Sequence, residues 1–291
     1  FPQFYMFDAI FYFYLKTNNQ KYFTPVEKLL TNISSKGVYD QLEGGIARYA
    51  VDEKWIIPHF EKMLYDNIQY ISLLTKFYQR TKKEYFKKKL IQTISFINKE
   101  FKNNENLYGS AYDADSEGIE GKYYVWSYDE LKKILENDFG LFEKKYEISN
   151  KGNFEGNNIL VESKNQLSKE EQNKITEIEE KLIQKRKKRV KPFFDDKSQT
   201  DLNAFILNSL IGSSIVLEDN NLMDETINTL EILNDKLSNK IYHCYDSSEI
   251  DAFLEDYVYY AMLLVTLYEI NGDEKSLEKA ISIMKEVWEI F

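Results

Sequence analysis

Apolar residues recur at helical spacing along most of the chain, and turn residues break the pattern into pairs of helices. An aromatic-rich stretch predicts a first helix from Phe4 to about Asn18. Thr24-Pro25-Val26-Glu27 reads as a capping box with proline at the first helical position, starting a second helix that Gly37 closes. Phe60, Leu64, Ile68, Ile71 and Tyr78 form one apolar stripe, which predicts a helix from His59 to about Arg80 with Pro58 in its first turn. Phe86, Leu90, Ile94 and Ile97 predict the next, from about Lys83 to Phe101. These four helices make two antiparallel hairpins.

Between residues 107 and 198 the pattern changes. Leu107 to Trp126 reads as two short strands about an acidic turn, Asp113 to Gly118. Ser127 with Glu130, and Ser168 with Glu171, are capping boxes. The second opens a highly charged helix ending in Lys185-Arg186-Lys187-Lys188-Arg189, which reads as a solvated helix end favoured by the dipole. Helical pairs then resume at Ala204 to Leu217 and Met223 to Leu237, with a short strand or turn at Tyr242 to Tyr245. Leu254 to Ile270 and Ser276 to Ile290 form the last pair. The expectation is an all-α domain over residues 1–291, with four hairpins and an elaborated excursion at 107–198 that carries a small β-hairpin. No sequence repeat of fixed period accompanies the pairs.

Composition narrows the function classes. The chain has 38 basic and 48 acidic residues, a net charge of −10, which argues against nucleic-acid and anionic-membrane partners. Phe4 to Leu15 is interrupted by Asp8 and ended by Lys16, short of the roughly 20 apolar residues of a membrane span. One cysteine, Cys244, excludes an internal disulfide framework and suits a reducing, cytoplasmic setting. No CxxC redox pair is present.

The densest chemistry lies between Gly44 and Asp66. His59, Met63, Asp66 and Tyr70 fall on one expected helical stripe, beneath a loop that holds Arg48, Asp52, Glu53 and Trp55. The two histidines, His59 and His243, are far apart in sequence, so no His-rich metal site is expected. Asp113, Asp115 and Glu117-Gly118 mimic the start of a calcium loop, but its twelfth position is Tyr124 rather than Glu. Neither a metal nor a cofactor is expected. What remains is paired acids: Asp52 and Asp66, Asp113 and Asp115, Asp195 and Asp196, Glu255 and Asp256. Paired carboxylates can do acid–base work on sugars, one protonating while the other removes a proton or activates water. Acids beside glycine turns and helix starts are also ordinary caps and turn formers, and both readings stay open.

GGIARYAVDEKWIIPHFEKMLYDN at 44–67 resembles a signature of the spermatogenesis-associated protein 20 family of thioredoxin-domain-containing proteins. YDADSEGIEGKYYVW at 112–126, GNFEGNNIL at 152–160 and FFDDKSQTDLNAFIL at 193–207 match in the family's order, and 253–269 is similar to a later family helix. The resemblance implies an (α/α) toroid of the six-hairpin glycosidase type, related in shape to sugar 2-epimerases. A closed toroid of that type needs twelve helices, so four hairpins imply an incomplete one. The chain opens on Phe1 rather than Met, and the family's thioredoxin-like domain is expected before it. Two departures stand out: Gln41 replaces a histidine, and Leu202 replaces a tryptophan in a Thr-x-Trp-Asn block.

The expected function is therefore a carbohydrate-recognising or carbohydrate-active region, isomerase-, epimerase- or hydrolase-like, binding a sugar or sugar derivative. The alternative is a non-catalytic interaction scaffold attached to a thioredoxin-like redox domain. Under the first, the catalytic candidates are His59, Asp66, Asp113, Asp115 and Asp256. The substrate-binding candidates are Arg48, Asp52, Trp55, Tyr124, Trp126, Asp196, Glu255 and Tyr257. All are expected to face one cleft.

Overall fold

A computed structural model describes residues 1–244 and 250–291; Tyr245, the last residue of the expected 242–245 connection, lies outside them. Helices dominate: α1 (Phe4–Thr17), α2 (Gln20–Ser35), α3 (Leu64–Thr81), α4 (Glu84–Glu100), α5 (Tyr128–Leu135), α6 (Phe139–Lys145), α7 (Lys169–Arg186), α8 (Thr200–Leu217), α9 (Asn220–Lys236), α10 (Leu254–Asn271) and α11 (Glu274–Ile290). Strands among the described residues are two or three residues long. The chain forms two compact units, Phe1–Asp66 with Ile91–Phe96 and Tyr112–Phe193, and Asn67–Leu90 with Ile97–Ala111 and Phe194–Phe291. Most of the 107–198 excursion falls in the first.

Three expectations need correction. The second helix begins at Gln20 rather than Thr24, because the Asn19 side chain accepts from the Lys21 N–H and caps it there. Pro25 lies inside that helix, and Gly37 does not close it with a left-handed turn: Lys36 leaves in extended conformation. Gly37 serves close approach instead, since the Ile56 carbonyl oxygen sits 1.9 Å from where a Cβ would be. The third helix starts at Leu64, so His59 is not helical. Pro58–His59 is a strand paired antiparallel with Tyr49–Ala50, in the register Tyr49↔His59.

The third correction concerns the basic run. Its lysines 187 and 188 are exposed, but Arg186 is 1% exposed and Arg189 is half-buried. Arg186 donates two hydrogen bonds to the Asp40 carboxylate, at 3.0 and 2.9 Å, and a third to Glu43 at 2.8 Å. Lys62 donates to Asp40 and to the Gly44 carbonyl, both at 3.0 Å. Arg189 stacks over Trp126 at 4.0 Å and donates to the Tyr123 and Val125 carbonyls and to Glu130. The helix end is thus a buried tether.

Around this tether the first unit builds its core. Leu131, Leu135, Phe142, Ile178 and Leu182 of α5, α6 and α7 pack with Trp126. Phe60, Ala114 and Ile159 form a smaller cluster beside it. The capping box of α7 is present as expected, with Ser168 and Glu171 each bonded to the other's backbone.

The second unit is organised on α8, which packs against α9 and α10. Its apolar residues run all round the helix, as suits a buried element, and Ala204, Ile206, Leu207, Leu210 and Ile211 are each 0% exposed. This helix is long and apolar enough to cross a membrane, yet half of that window is buried inside the unit. Polar pairs fix its register: Ser72 with Ser209 at 2.7 Å, and Thr75 with Ser213 at 2.8 Å. α10 and α11 form the last hairpin of the unit.

Burial alone would raise the Asp40 pKa, but Arg186 and Lys62 hold it well below the usual carboxylate range. A depressed carboxyl contributes stability above its unfolded pKa of about 4 and loses it as pH falls through the folded value. The network is therefore intact at neutral pH. Replacing Arg186→Met takes the arginine away from two buried acids and should cost about 3–5 kcal/mol, read as a lower denaturant midpoint at pH 7. A change under about 1 kcal/mol would mean that the tether is dispensable.

Candidate functional site

Residues 40–66 reach their positions by turn geometry and strand alternation. Gly44 and Gly45 have φ of 92° and 78°, and a Cβ on Gly44 would lie 2.8 Å from the Gln92 carbonyl oxygen. Only glycine satisfies both demands. Pro58–His59 and Lys62–Met63 are short strands, and burial alternates from Pro58 to Met63, so successive side chains point to opposite sides. Phe60 and Lys62 are buried among the core and the tether. His59 and Glu61 are half-buried on the other side.

There they form a connected polar group. Arg48 donates to Glu61 at 2.9 Å. His59 Nδ1 lies 2.7 Å from Glu120 Oε1, its Nε2 lies 3.8 Å from Glu61, and Tyr49 stacks on its ring at 4.9 Å. Asp66, in the first turn of α3, is 7% exposed, and its Oδ2 is buried without a partner. Burial pushes its pKa up to about 7; Arg48 opposes the shift and Glu61 adds to it. The Arg48 Nε is likewise buried without a partner. At neutral pH this group combines a half-protonated acid, a carboxylate bonded to arginine, and an imidazole paired with a carboxylate.

The structure connects only part of the expected set here. Asp115 pairs with Glu120 across a two-strand ladder, so it sits beside the partner of His59. Asp113 is exposed and its carboxylate accepts from the Asp115 N–H, as a turn former does. Asp52 accepts from the N–H groups of Lys54, Ile56 and Ile57, and Trp55 has φ of 62° in that turn. Trp126 is 0% exposed under Arg189, so it offers no face to a sugar. Tyr124 is stacked on Phe60 at 5.7 Å and lies 4.8 Å from the Lys62 ammonium. Sequence reasoning missed Glu61 and Glu120, although both lie in the blocks it singled out; the signal was the alternation His-Phe-Glu-Lys, read as helix.

The replaced histidine position is also accounted for. Gln41 is 4% exposed and donates to the Ser34 and Lys36 carbonyls, holding the end of α2. A cavity of about 30 Å³, room for one water, lies beside it, lined by Asp40, Lys62, Tyr124 and Arg186.

The second unit holds its own cluster. Asp256 is 0% exposed and accepts from the backbone N–H groups of Phe253 and Asp201, at 2.8 and 3.0 Å. His243 pairs with it, the imidazole Nδ1 lying 3.1 and 3.0 Å from the two Asp256 oxygens. Burial, then Asp256, raises the pKa of Asp201. Ligand atoms of Asp201, His243 and Asp256 lie within 4.8 Å of one another, a donor set that can hold a divalent cation. Sequence distance hid this grouping, which brings His243 to acids from two other segments. Glu255 and Asp196 are exposed, and Tyr257 is 6% exposed and closed to stacking.

No family model matches the chain. It is 26% identical over 303 residues to spermatogenesis-associated protein 20 of Homo sapiens, covering 87% of this chain and 38% of that protein. An uncharacterized protein of Caenorhabditis elegans is 24% identical over 306 residues, covering 89% of this chain and 42% of its own. The chain thus spans about two fifths of the length of these relatives. Among solved structures, a family 76 glycoside hydrolase from a bovine Bacteroides thetaiotaomicron strain superposes with a TM-score of 0.56 at 11% identity, over 96% of this chain and 45% of that one. An unsaturated glucuronyl hydrolase specific for heparin gives 0.52 at 11% identity, over 94% and 57%.

If burial sets the Asp66 pKa, the native state binds a proton that the unfolded chain gives up at about pH 4. Stability should then fall between about pH 4 and 7, by roughly 4 kcal/mol in all, and level off above. Asp66→Asn should remove that slope in denaturant unfolding across the range. An unchanged slope in the variant would assign it elsewhere. The chain is similar in sequence to spermatogenesis-associated protein 20, and its fold is the (α/α) toroid of the six-hairpin glycosidases.

Proposed function

We propose that this region acts on carbohydrate by acid–base catalysis, with the Arg48–His59–Glu61–Asp66 group as its centre. The observation that carries the reading is the contrast between neighbouring carboxyls. Asp66 keeps its proton up to about pH 7, while Glu61 is bonded to the Arg48 guanidinium. An acid and a carboxylate with separated environments are what proton donation to a sugar oxygen and charge stabilisation opposite it require. His59, bonded to Glu120, supplies a second proton-transferring group. Asp115 stands behind Glu120, and Asp256 orients His243 in the second unit. The glycoside hydrolase neighbours support the substrate class through shared fold alone.

Asp66→Asn and His59→Ala should each lower turnover of a sugar substrate by roughly 10²–10⁴-fold while leaving the melting temperature unchanged or, for Asp66→Asn, raised at pH 8. The wild-type rate should fall as pH rises through about 7, since the protonated form of Asp66 is the active one. Variants that lose activity only in proportion to lost stability would defeat this assignment.

A second reading, an interaction scaffold for a thioredoxin-like redox domain, has its own support. α10 and α11 enclose an apolar groove of about 890 Å³, with Trp288 89% exposed at its rim. If the groove is sticky in this way, light scattering should show association that Trp288→Glu abolishes. A monodisperse wild-type chain at tens of micromolar would argue against it.

A further inference from the structure

Two glutamate–glycine turns flank one polar cleft in the first unit. The first joins the Asp115–Ser116 and Ile119–Glu120 strands, with Glu117 at φ 53° and Gly118 at φ 74°. The second links Phe154 and Asn157, with Glu155 at φ 48° and Gly156 at φ 78°. Both have the positive φ pair of a tight hairpin turn, in which the first position favours Asn, Asp or Gly. Glutamate gains nothing there from the backbone. The adjoining glycines have open space around them, so the tips of both turns are uncovered. What the two glutamates share is the cleft, of about 560 Å³, that both line.

The cleft has the make-up of a site for a small polar molecule. Glu120, Glu130 and Lys122 lie along it with Tyr123 and Phe154. Its cations are largely engaged: Lys122 with Glu117 at 2.9 Å, and Arg189 with Glu130 at 2.9 Å. Glu155, by contrast, is exposed, and its carboxylate has no partner among the described residues. Four carboxylates against Lys122, Lys188 and Arg189 leave the lining slightly negative, which disfavours an anionic ligand. Hydrogen-bond acceptors beside aromatic edges suit the hydroxyls and the apolar face of a neutral sugar. The cleft also touches the group described above, because Glu120 both lines it and bonds His59 at 2.7 Å.

We propose that this cleft binds a neutral saccharide of one or two rings, with Glu155 and Glu120 accepting from its hydroxyls and the Phe154 ring beneath it. The sugar class rests on the carbohydrate reading of the neighbouring centre; the location does not. The test is calorimetry and saturation-transfer NMR on the full chain carrying Asp66→Asn, with a panel of neutral mono- and disaccharides and with glucuronate as the anionic control. Saturable binding of a neutral sugar is expected, weakened at least about tenfold by Glu155→Lys, a change at an exposed turn, while glucuronate binds more weakly or not at all. Absence of saturable binding by any neutral sugar would overturn the proposal, as would affinity unaltered by Glu155→Lys. Binding without turnover by the wild-type chain would leave this site standing and remove the catalytic reading. Turnover with a Michaelis constant indifferent to Glu155→Lys would do the reverse.

Discussion

The first unit depends on a buried guanidinium. Arg186 is 1% exposed at the end of α7, and it binds Asp40 and Glu43 more than 140 positions earlier in the chain. Burying such charges costs several kcal/mol each, and their attraction offsets this only when geometry and remaining hydrogen bonds are good. Here the arginine is bidentate to Asp40, Lys62 takes the second side of that carboxylate, and the Gly44 carbonyl takes the lysine. A purely apolar cluster would bury the same elements without fixing their register. The ionic one accepts a single arrangement of the loop at 40–45, the strand at 58–63 and the end of α7.

That single arrangement sets what the strand presents. Lys62 can reach Asp40 only if it faces inward, and alternation then turns His59 and Glu61 the other way. Phe60 follows Lys62 inward and meets Tyr124 and Phe154. The polar group around Arg48 is thus a geometric consequence of the buried pair on the opposite side. A one-residue slip would place His59 in the core and Lys62 among the acids.

This dependence explains what could be read from the sequence. Long helices were legible: α1, α4, α9 and α11 because burial of one face writes itself into the spacing, and α8 and α10 as long apolar runs. The run Pro-His-Phe-Glu-Lys-Met was not, because Phe60 and Leu64 are as compatible with a helix as with a strand leading into one. Thr24 was read as a helix start because a good capping pattern inside a helix looks the same as one at its end. For the site, the blocks were legible and the partners were not. Glu120 meets His59 across 61 positions, and His243 meets Asp201 across 42, and spacing carries no record of either. The basic run at 185–189 misled for a related reason. Its charges look solvated in one dimension, and only the fold reveals that two of its arginines turn inward.

Two carboxyls in this one block are driven in opposite directions by the same variable. Asp40 and Asp66 are both buried, and burial alone raises the pKa of each. At Asp40 two cations overturn that effect and keep the carboxylate ionised, which makes it a fixed structural anion. At Asp66 one arginine is shared with Glu61 and does not suffice, so the acid stays protonated to about pH 7. A group that titrates near neutrality, with an oxygen left unpartnered, contributes little to holding a fold together. The uncompensated carboxyl thus lies outside the network that fixes the loop, and it is the one that the proposed acid–base function would use.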